Sequence, residues 1–248
     1  MEGLKEDWIK SLSNPLMLFS YIKHTLFGEK LSERKFPLIS FEGIDFCGKS
    51  TQAKLLAKYL KEKGIPYRQF REPGGVYISE KIRNILLDPG NKGLLDTTEL
   101  LLFAAARAQI VGEEIEPSLE TKLVLLDRFH DSSVAYQGFG RGMGYKFVKE
   151  LQKYATKGIY PDRTYWFNVS IEEVAKRKQV LTTNANTKLD RIEVSKDNFY
   201  QKVIDGYKHI ARTEPWRFKT INAKRSIDEI HNDVINDANK VLQKYNLL

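Results

Sequence analysis

The sequence predicts a three-layer α/β/α domain built on a five-stranded parallel sheet, and three observations carry that reading. A short buried-type run, Leu38-Ile-Ser-Phe41, leads into Gly43-x-x-x-x-Gly48-Lys49-Ser50 and then an amphipathic helix, the order of a phosphate-binding strand–loop–helix. Four more short runs of this kind follow, separated by helical patterns, and strands spaced that way pair in parallel with helices on both faces. One of them, Leu123-Val-Leu-Leu126, is wholly apolar, as a strand covered on both faces should be.

In chain order, residues 1–35 stand apart. Trp8, Ile9, Leu12, Leu16, Phe19, Ile22 and Leu26 recur at near-helical spacing, with Asn14-Pro15 as a break, which predicts two short helices forming an appendage to a domain over 36–248. Glu2, Glu6 and Asp7 lie where a secretory signal or transit peptide carries basic residues, so neither is expected. Packing on the domain or on a second subunit is favoured over an interfacial helix at Pro15-Leu-Met-Leu-Phe19; the sequence leaves this open. The helix after the loop buries Ala53, Leu56, Tyr59 and Leu60 and ends at Gly64, a C-terminal glycine stop. Ile65 to Phe70 reads as the second strand. Ile78, Ile82, Ile85 and Leu86 mark a helix that ends near Pro89-Gly90, and Asp96-x-x-Glu99 reads as a capping box opening a long helix.

After Leu123–Leu126, a helix carries Phe147, Val148, Leu151 and Tyr154. Thr164 to Val169 is the fourth strand, with Ser170-x-x-Glu173 capping the next helix. Phe199, Val203, Ile204 and Tyr207 line a further helix; Phe218 to Ile221 is the last strand, and Ser226-x-x-Glu229 opens a final helix with Ile230, Val234 and Val241 inward. Tyr207, Trp216 and Phe218 read as core, and His130 as a plain loop residue.

A chain of 248 residues suits one such domain, and 42% hydrophobic with 29% charged residues describes a globular protein without a membrane span. The net charge of +8 is scattered, with no basic tract interleaved with aromatics, so nucleic-acid binding is not expected. One cysteine, Cys47, excludes an intrachain disulfide and fits a reducing, cytoplasmic compartment. It lies inside the loop, where a small side chain fits; oxidation there would block the site.

The chemistry begins at Gly43, Ile44, Asp45, Phe46, Cys47, Gly48, Lys49, Ser50 and Thr51. Two glycines let successive N–H groups converge on a phosphate, Lys49 reaches the outer phosphates, and Ser50 offers a hydroxyl to Mg²⁺. This predicts ATP-type nucleotide binding. Asp127, at the carboxyl end of a strand, is the candidate acid for Mg²⁺ or its waters, and Arg128 beside it can fork onto a phosphate. Taken alone, the pair would read as readily as a solvated Asp–Arg at a strand end.

Four motifs then occur in series: Gly43-Ile-Asp-Phe-Cys-Gly-Lys-Ser-Thr51, Arg71-Glu-Pro-Gly-Gly75, Leu101-Leu-Phe-Ala-Ala-Ala-Arg-Ala-Gln109 and Asp127-Arg-Phe-His-Asp-Ser-Ser-Val-Ala-Tyr-Gln-Gly138. Together with Tyr160-Pro-Asp162 and Leu189-Asp-Arg-Ile-Glu193, they resemble the thymidylate kinase family in its bacterial form, from about residue 37 to the C-terminus. The resemblance implies Mg²⁺-dependent transfer of the γ-phosphoryl group of ATP to thymidine 5′-monophosphate, with no covalent intermediate. It implies Asp45 at the acceptor 3′-hydroxyl, Phe103 stacked on thymine, and Arg107 on its carbonyl edge. It further implies Ser133 and Gln137 at the base, Tyr136 against the sugar, Arg83 and Arg128 near the acceptor phosphate, and Glu72 in the same pocket. Without the family, Phe103 would be read as core and Arg83 as a solvated helix residue. The family is usually homodimeric, and the long helix from Thr97 is the candidate interface.

The main departure concerns the catalytic arginine. Position 46 is Phe, so the loop does not supply one, and the presumed lid, about 178–190, is poor in arginine. Arg177 is the expected donor, with Arg191 next and Lys178 and Lys188 as weaker point charges. Two alternatives follow: a deoxynucleoside kinase, or a catalytically weak nucleotide-binding relative.

Overall fold

The five strands form one all-parallel sheet in the order β2-β3-β1-β4-β5. They are β1 (Leu38–Glu42), β2 (Tyr67–Arg71), β3 (Leu123–Asp127), β4 (Arg163–Asn168) and β5 (Phe218–Asn222). Among the described residues the α-helices longer than three residues are α1 (Lys49–Glu62), α2 (Tyr77–Leu87), α3 (Asp96–Ile110), α4 (His130–Ser133), α5 (Tyr145–Ala155), α6 (Ile171–Asn184), α7 (Asp197–Thr213) and α8 (Ile227–Lys244). Two π-helical stretches, Val111–Ile115 and Val134–Gly140, extend α3 and α4. This computed structural model describes residues 34–184, 191–192 and 197–248. The helices expected over 1–35 lie, up to residue 33, outside the described residues, as does the 185–190 part of the lid with Lys188. The first part of that lid, from Lys178, continues α6 as helix.

The period-two alternation of the central strands divides the core. Ile39, Phe41, Leu123 and Leu125 face one cluster with α1, α7 and α8, while Leu38, Val124 and Leu126 face a second with Ile110, Val111, Ile115, Leu119 and Phe129. All five residues of β1 are buried. The connections leave β1 and β3 toward opposite edges of the sheet, so the crevice at their carboxyl ends is the place where ligands of open α/β sheets bind.

Several expectations hold. Gly64 takes φ +69°, and the bonds Gly64 N to Lys61 O (3.1 Å) and Ile65 N to Leu60 O (3.0 Å) close α1 with a Schellman turn. Ser226 and Glu229 make both halves of a capping box on α8. Ser170 accepts from Glu173 N at 3.4 Å.

Others are corrected. The second strand starts at Tyr67, since Ile65 turns into the core as part of the α1 stop. Asp96 is not a cap: Leu95 holds that position, and Glu99 is buried and committed to arginines elsewhere. Trp216 is exposed on the turn into β5, whereas Tyr207 and Phe218 are core as expected. On α5, Val148 faces inward and both Phe147 and Tyr154 are exposed. His130 is no loop residue; it opens α4, is buried, and meets Tyr160 edge-on.

Candidate functional site

Two cavities open at the carboxyl edge of the sheet, and both are lined by Lys49 and Ser50. The first, about 230 Å³, is walled by Asp45, Glu72, Arg83, Phe103, Arg107, Asp127, Arg128, Ser133, Tyr136 and Gln137. The second, about 760 Å³, is lined by the loop from Phe46 to Gln52, by α6 through Lys176 and Arg177, and by the β5–α8 connection. Thus every acceptor-side residue that the sequence suggests lies on one cavity, and the phosphate loop separates it from a second.

The loop is shaped by its glycines. Gly43 takes φ +145°, and a Cβ there would lie 2.8 Å from Cys47 Sγ and 3.0 Å from Phe167 O. Gly48 takes φ +98° just before α1, which turns the first N–H groups of the helix outward. Cys47 is buried beneath this turn, and burial pushes its thiol up.

Arg128, in the left-handed region at φ 71°, bridges the loops that follow β1 and β3. It donates to Asp45 Oδ1 at 2.7 Å, Ser132 Oγ at 3.1 Å and Tyr136 Oη at 3.3 Å. Lys49 Nζ lies 3.4 Å from the same Asp45 oxygen. Burial would raise the Asp45 carboxyl, but the Arg128 and Lys49 cations overcome it and hold the group well below the usual carboxylate range. Ser50 donates its hydroxyl to Asp127 Oδ2, so a hydroxyl and a carboxylate meet at the junction of the two cavities. Oxygen donors of this kind suit Mg²⁺, which takes one or two protein oxygens and completes its shell with phosphate and water.

On the far wall, Arg107 is fully buried and almost fully engaged. It donates to Glu72 Oε2 (2.6 Å), Ser133 Oγ (2.8 Å), Phe129 O (3.1 Å) and Gln152 Oε1. Burial pushes the Glu72 carboxyl up, against the pull of Arg107. Phe103, one turn before Arg107 on α3, is half-buried on the same face, and Arg83 donates to Pro73 O at 2.8 Å.

The expected lid arginines sit elsewhere. Arg177 lines the second cavity and donates to Glu173 Oε1 (2.9 Å), Cys47 O (3.3 Å) and Ala223 O (2.6 Å). Arg191 donates to Leu86 O (2.9 Å) and Glu99 Oε2 (2.5 Å). Neither lines the first cavity among the described residues.

Sequence reasoning assigns no role to Glu42, the last residue of β1. Its buried carboxylate accepts from Phe129 N (2.7 Å), Ser132 Oγ (2.5 Å) and Tyr207 Oη (2.9 Å), holding the stretch that follows Arg128. Burial first, then the Asp131 charge, pushes its pKa up to about 7 against the Ser132, Arg128 and Phe129 contacts. The second cavity also enlists Ala223, Arg225 and Ile227, which only proximity in the fold reveals.

The comparisons agree on one family. The thymidylate kinase family model matches residues 41–234. The chain is 43% identical over 207 residues to the thymidylate kinase of Symbiobacterium thermophilum, covering 83% of this chain and 94% of that protein. It is 44% identical over 208 residues to that of Chlorobium luteolum, covering 82% and 97%. The crystal structure of thymidylate kinase from Ehrlichia chaffeensis superposes with a TM-score of 0.66 at 35% identity, covering 84% of this chain and 98% of that one.

Glu42 gives a pH test. Its folded-state pKa lies above the ordinary 4.5, so the stability it contributes is whole below pH 4.5 and is lost as pH rises through about 7. Relative to Glu42→Gln, the wild type should lose about 3 kcal/mol between pH 4.5 and about pH 8 in urea unfolding. His130, lowered to about 4 by burial, titrates in the opposite sense but is common to both proteins. A stability difference that stays flat with pH would refute the assignment.

Proposed function

This chain belongs to the thymidylate kinase family, and we propose that the two cavities are where it works, the larger holding ATP and the smaller the acceptor. It is a nucleoside monophosphate kinase: the γ-phosphoryl group of ATP passes to thymidine 5′-monophosphate, giving dTDP and ADP on the way to dTTP. The observation that carries the assignment of sites is that both cavities meet at Lys49 and Ser50, so two nucleotides bound in them point their phosphates at each other.

In this reading, Lys49 and the loop N–H groups from Gly43 to Thr51 hold the donor phosphates. Arg128 and Arg83 hold the acceptor phosphate, whose oxygen attacks the γ-phosphorus as the bond to ADP breaks. In-line alignment and charge neutralisation supply the rate, and neither an acyl-type nucleophile nor a general base is required. Ser50 and Asp127 are the residues that would hold Mg²⁺, which when bound neutralises charge on the donor phosphates. Asp45 takes the 3′-hydroxyl, Tyr136 lies along the sugar, Phe103 stacks on the base, and Glu72, Arg107, Ser133 and Gln137 read its edge. Arg177, which lines the larger cavity and donates to the loop carbonyl of Cys47, is assigned to the donor phosphates. Arg83 and Arg128, two of the four arginines on the small cavity, favour a monophosphate acceptor over a free nucleoside.

We propose a homodimer through α3, where Leu101, Ala105 and Ala108 share an exposed face at helical spacing; sedimentation should give twice the chain mass, and a monomer at micromolar concentration would go against it. The need for ATP and the single buried Cys47 suit the cytoplasm; recovery in a secreted or membrane fraction would contradict that. Among the described residues no helix is long and apolar enough to cross a membrane.

The decisive assay follows ADP release with ATP and Mg²⁺ against thymidine, dTMP, dUMP and UMP. Turnover should be best with dTMP and abolished by EDTA; turnover with thymidine alone, or none despite ATP binding, would overturn the reading. Arg177→Ala should lower kcat by roughly 10- to 1000-fold, and full turnover in that variant would remove Arg177 from the donor site.

A further inference from the structure

Glu99 lies on α3 one turn before Phe103 and two before Arg107, so the three share a helix face. Its carboxylate is fully buried and receives four donors. Gln137 Nε2 lies at 2.9 Å from Oε1, Arg141 Nε and Nη2 at 3.2 and 3.0 Å, and Arg191 Nη2 at 2.5 Å from Oε2. Burial would raise this carboxyl, yet the arginines and Gln137 draw it below its ordinary value, so it stays ionised.

An ionised carboxylate only accepts hydrogen bonds. Gln137 must therefore turn its NH₂ toward Glu99, and its amide oxygen becomes the atom left for the cavity that its side chain lines. Among the described residues nothing donates to that oxygen. Turning the amide over would set two oxygens against each other in a buried site. Arg107, the other edge-reading group, has only donors to offer. The cavity thus presents a donor from Arg107 and an acceptor from Gln137. A 4-oxopyrimidine matches this pair, with its O4 accepting and its N3–H donating; a 4-aminopyrimidine presents the reverse at both atoms.

We propose that Glu99 is a specificity-determining positioning residue: by fixing the polarity of the Gln137 amide, it makes the pocket accept thymine and uracil and reject cytosine. The inference rests on the small cavity being the acceptor site. Glu99 acts through Gln137 and does not touch the nucleotide.

The test compares full-length wild type and Glu99→Gln on dTMP, dUMP and dCMP with ATP and Mg²⁺. Wild type should prefer both 4-oxo substrates to dCMP. In Glu99→Gln the neutral amide can bond Gln137 in either orientation, so the dTMP-to-dCMP ratio of kcat/KM should fall by about 10- to 100-fold, chiefly through KM, with the dUMP-to-dCMP ratio falling alongside. A uniform loss on all three substrates, with both ratios kept, would make Glu99 merely structural and leave the acceptor site standing. Wild type that turns over none of them would defeat the acceptor-site reading itself. Glu99→Gln leaves two half-buried arginines less well neutralised, so a wild-type crystal with dTMP is the second readout. Gln137 bonding N3 while still held by Glu99 supports the proposal, and a Gln137 turned away from Glu99 overturns it whether or not the variant folds.

Discussion

The ion pair between Asp45 and Arg128 is the interaction on which the site depends. It ties the loop after β1 to the loop after β3, strands that are neighbours in the sheet but 85 positions apart in starting residue, 38 against 123. The pair at 2.7 Å is shielded from water on most sides and reinforced by Lys49. Were either partner removed, the other would be left as a poorly solvated charge, a larger penalty than the loss of an exposed bridge. Its position also suits the proposed role of Arg128, because a cation held for a phosphate needs a carboxylate nearby while the phosphate is absent.

Behind that pair the sheet carries a second polar layer. Glu42 grips Phe129 N, Ser132 and Tyr207, while Asp131 takes Arg217 in a two-bond fork at 2.7 and 2.8 Å. These two carboxylates hold α4 and the residue before it against β1, β4, α7 and the residue that leads into β5. Burial raises one; for the other, burial is overcome by Arg217, which holds Asp131 well below the usual range. The outcome is a rigid platform under Arg128, Ser133, Tyr136 and Gln137. Preorganisation of this kind is what an enzyme needs when alignment, not covalent chemistry, supplies the rate.

The lid side differs in character. Arg177 and Arg191 are bound to backbone carbonyls and to Glu173 and Glu99, so each has partners that a phosphate would have to replace or share. Glu99 consequently links Arg191 to Gln137, the residue proposed to read the base. On the proposed assignment, both ends of the acceptor, base and phosphate, meet groups committed to a network before any nucleotide arrives.

Much of this was legible in one dimension, for a physical reason. A phosphate loop, a strand end with Asp127-Arg128 and a glycine-stopped helix are local devices, set by residues within a few positions of each other. Burial on both faces of the central strands likewise writes itself into sequence as apolar runs. What the linear pattern could not decide is which distant groups share a buried carboxylate. Glu99 has the spacing of a cap and Glu42 that of a strand end, and Trp216 has the composition of core. The fold makes Glu99 a hub and Glu42 a clamp and leaves Trp216 exposed, because packing across the sheet, not proximity along the chain, sets the partners of a buried charge.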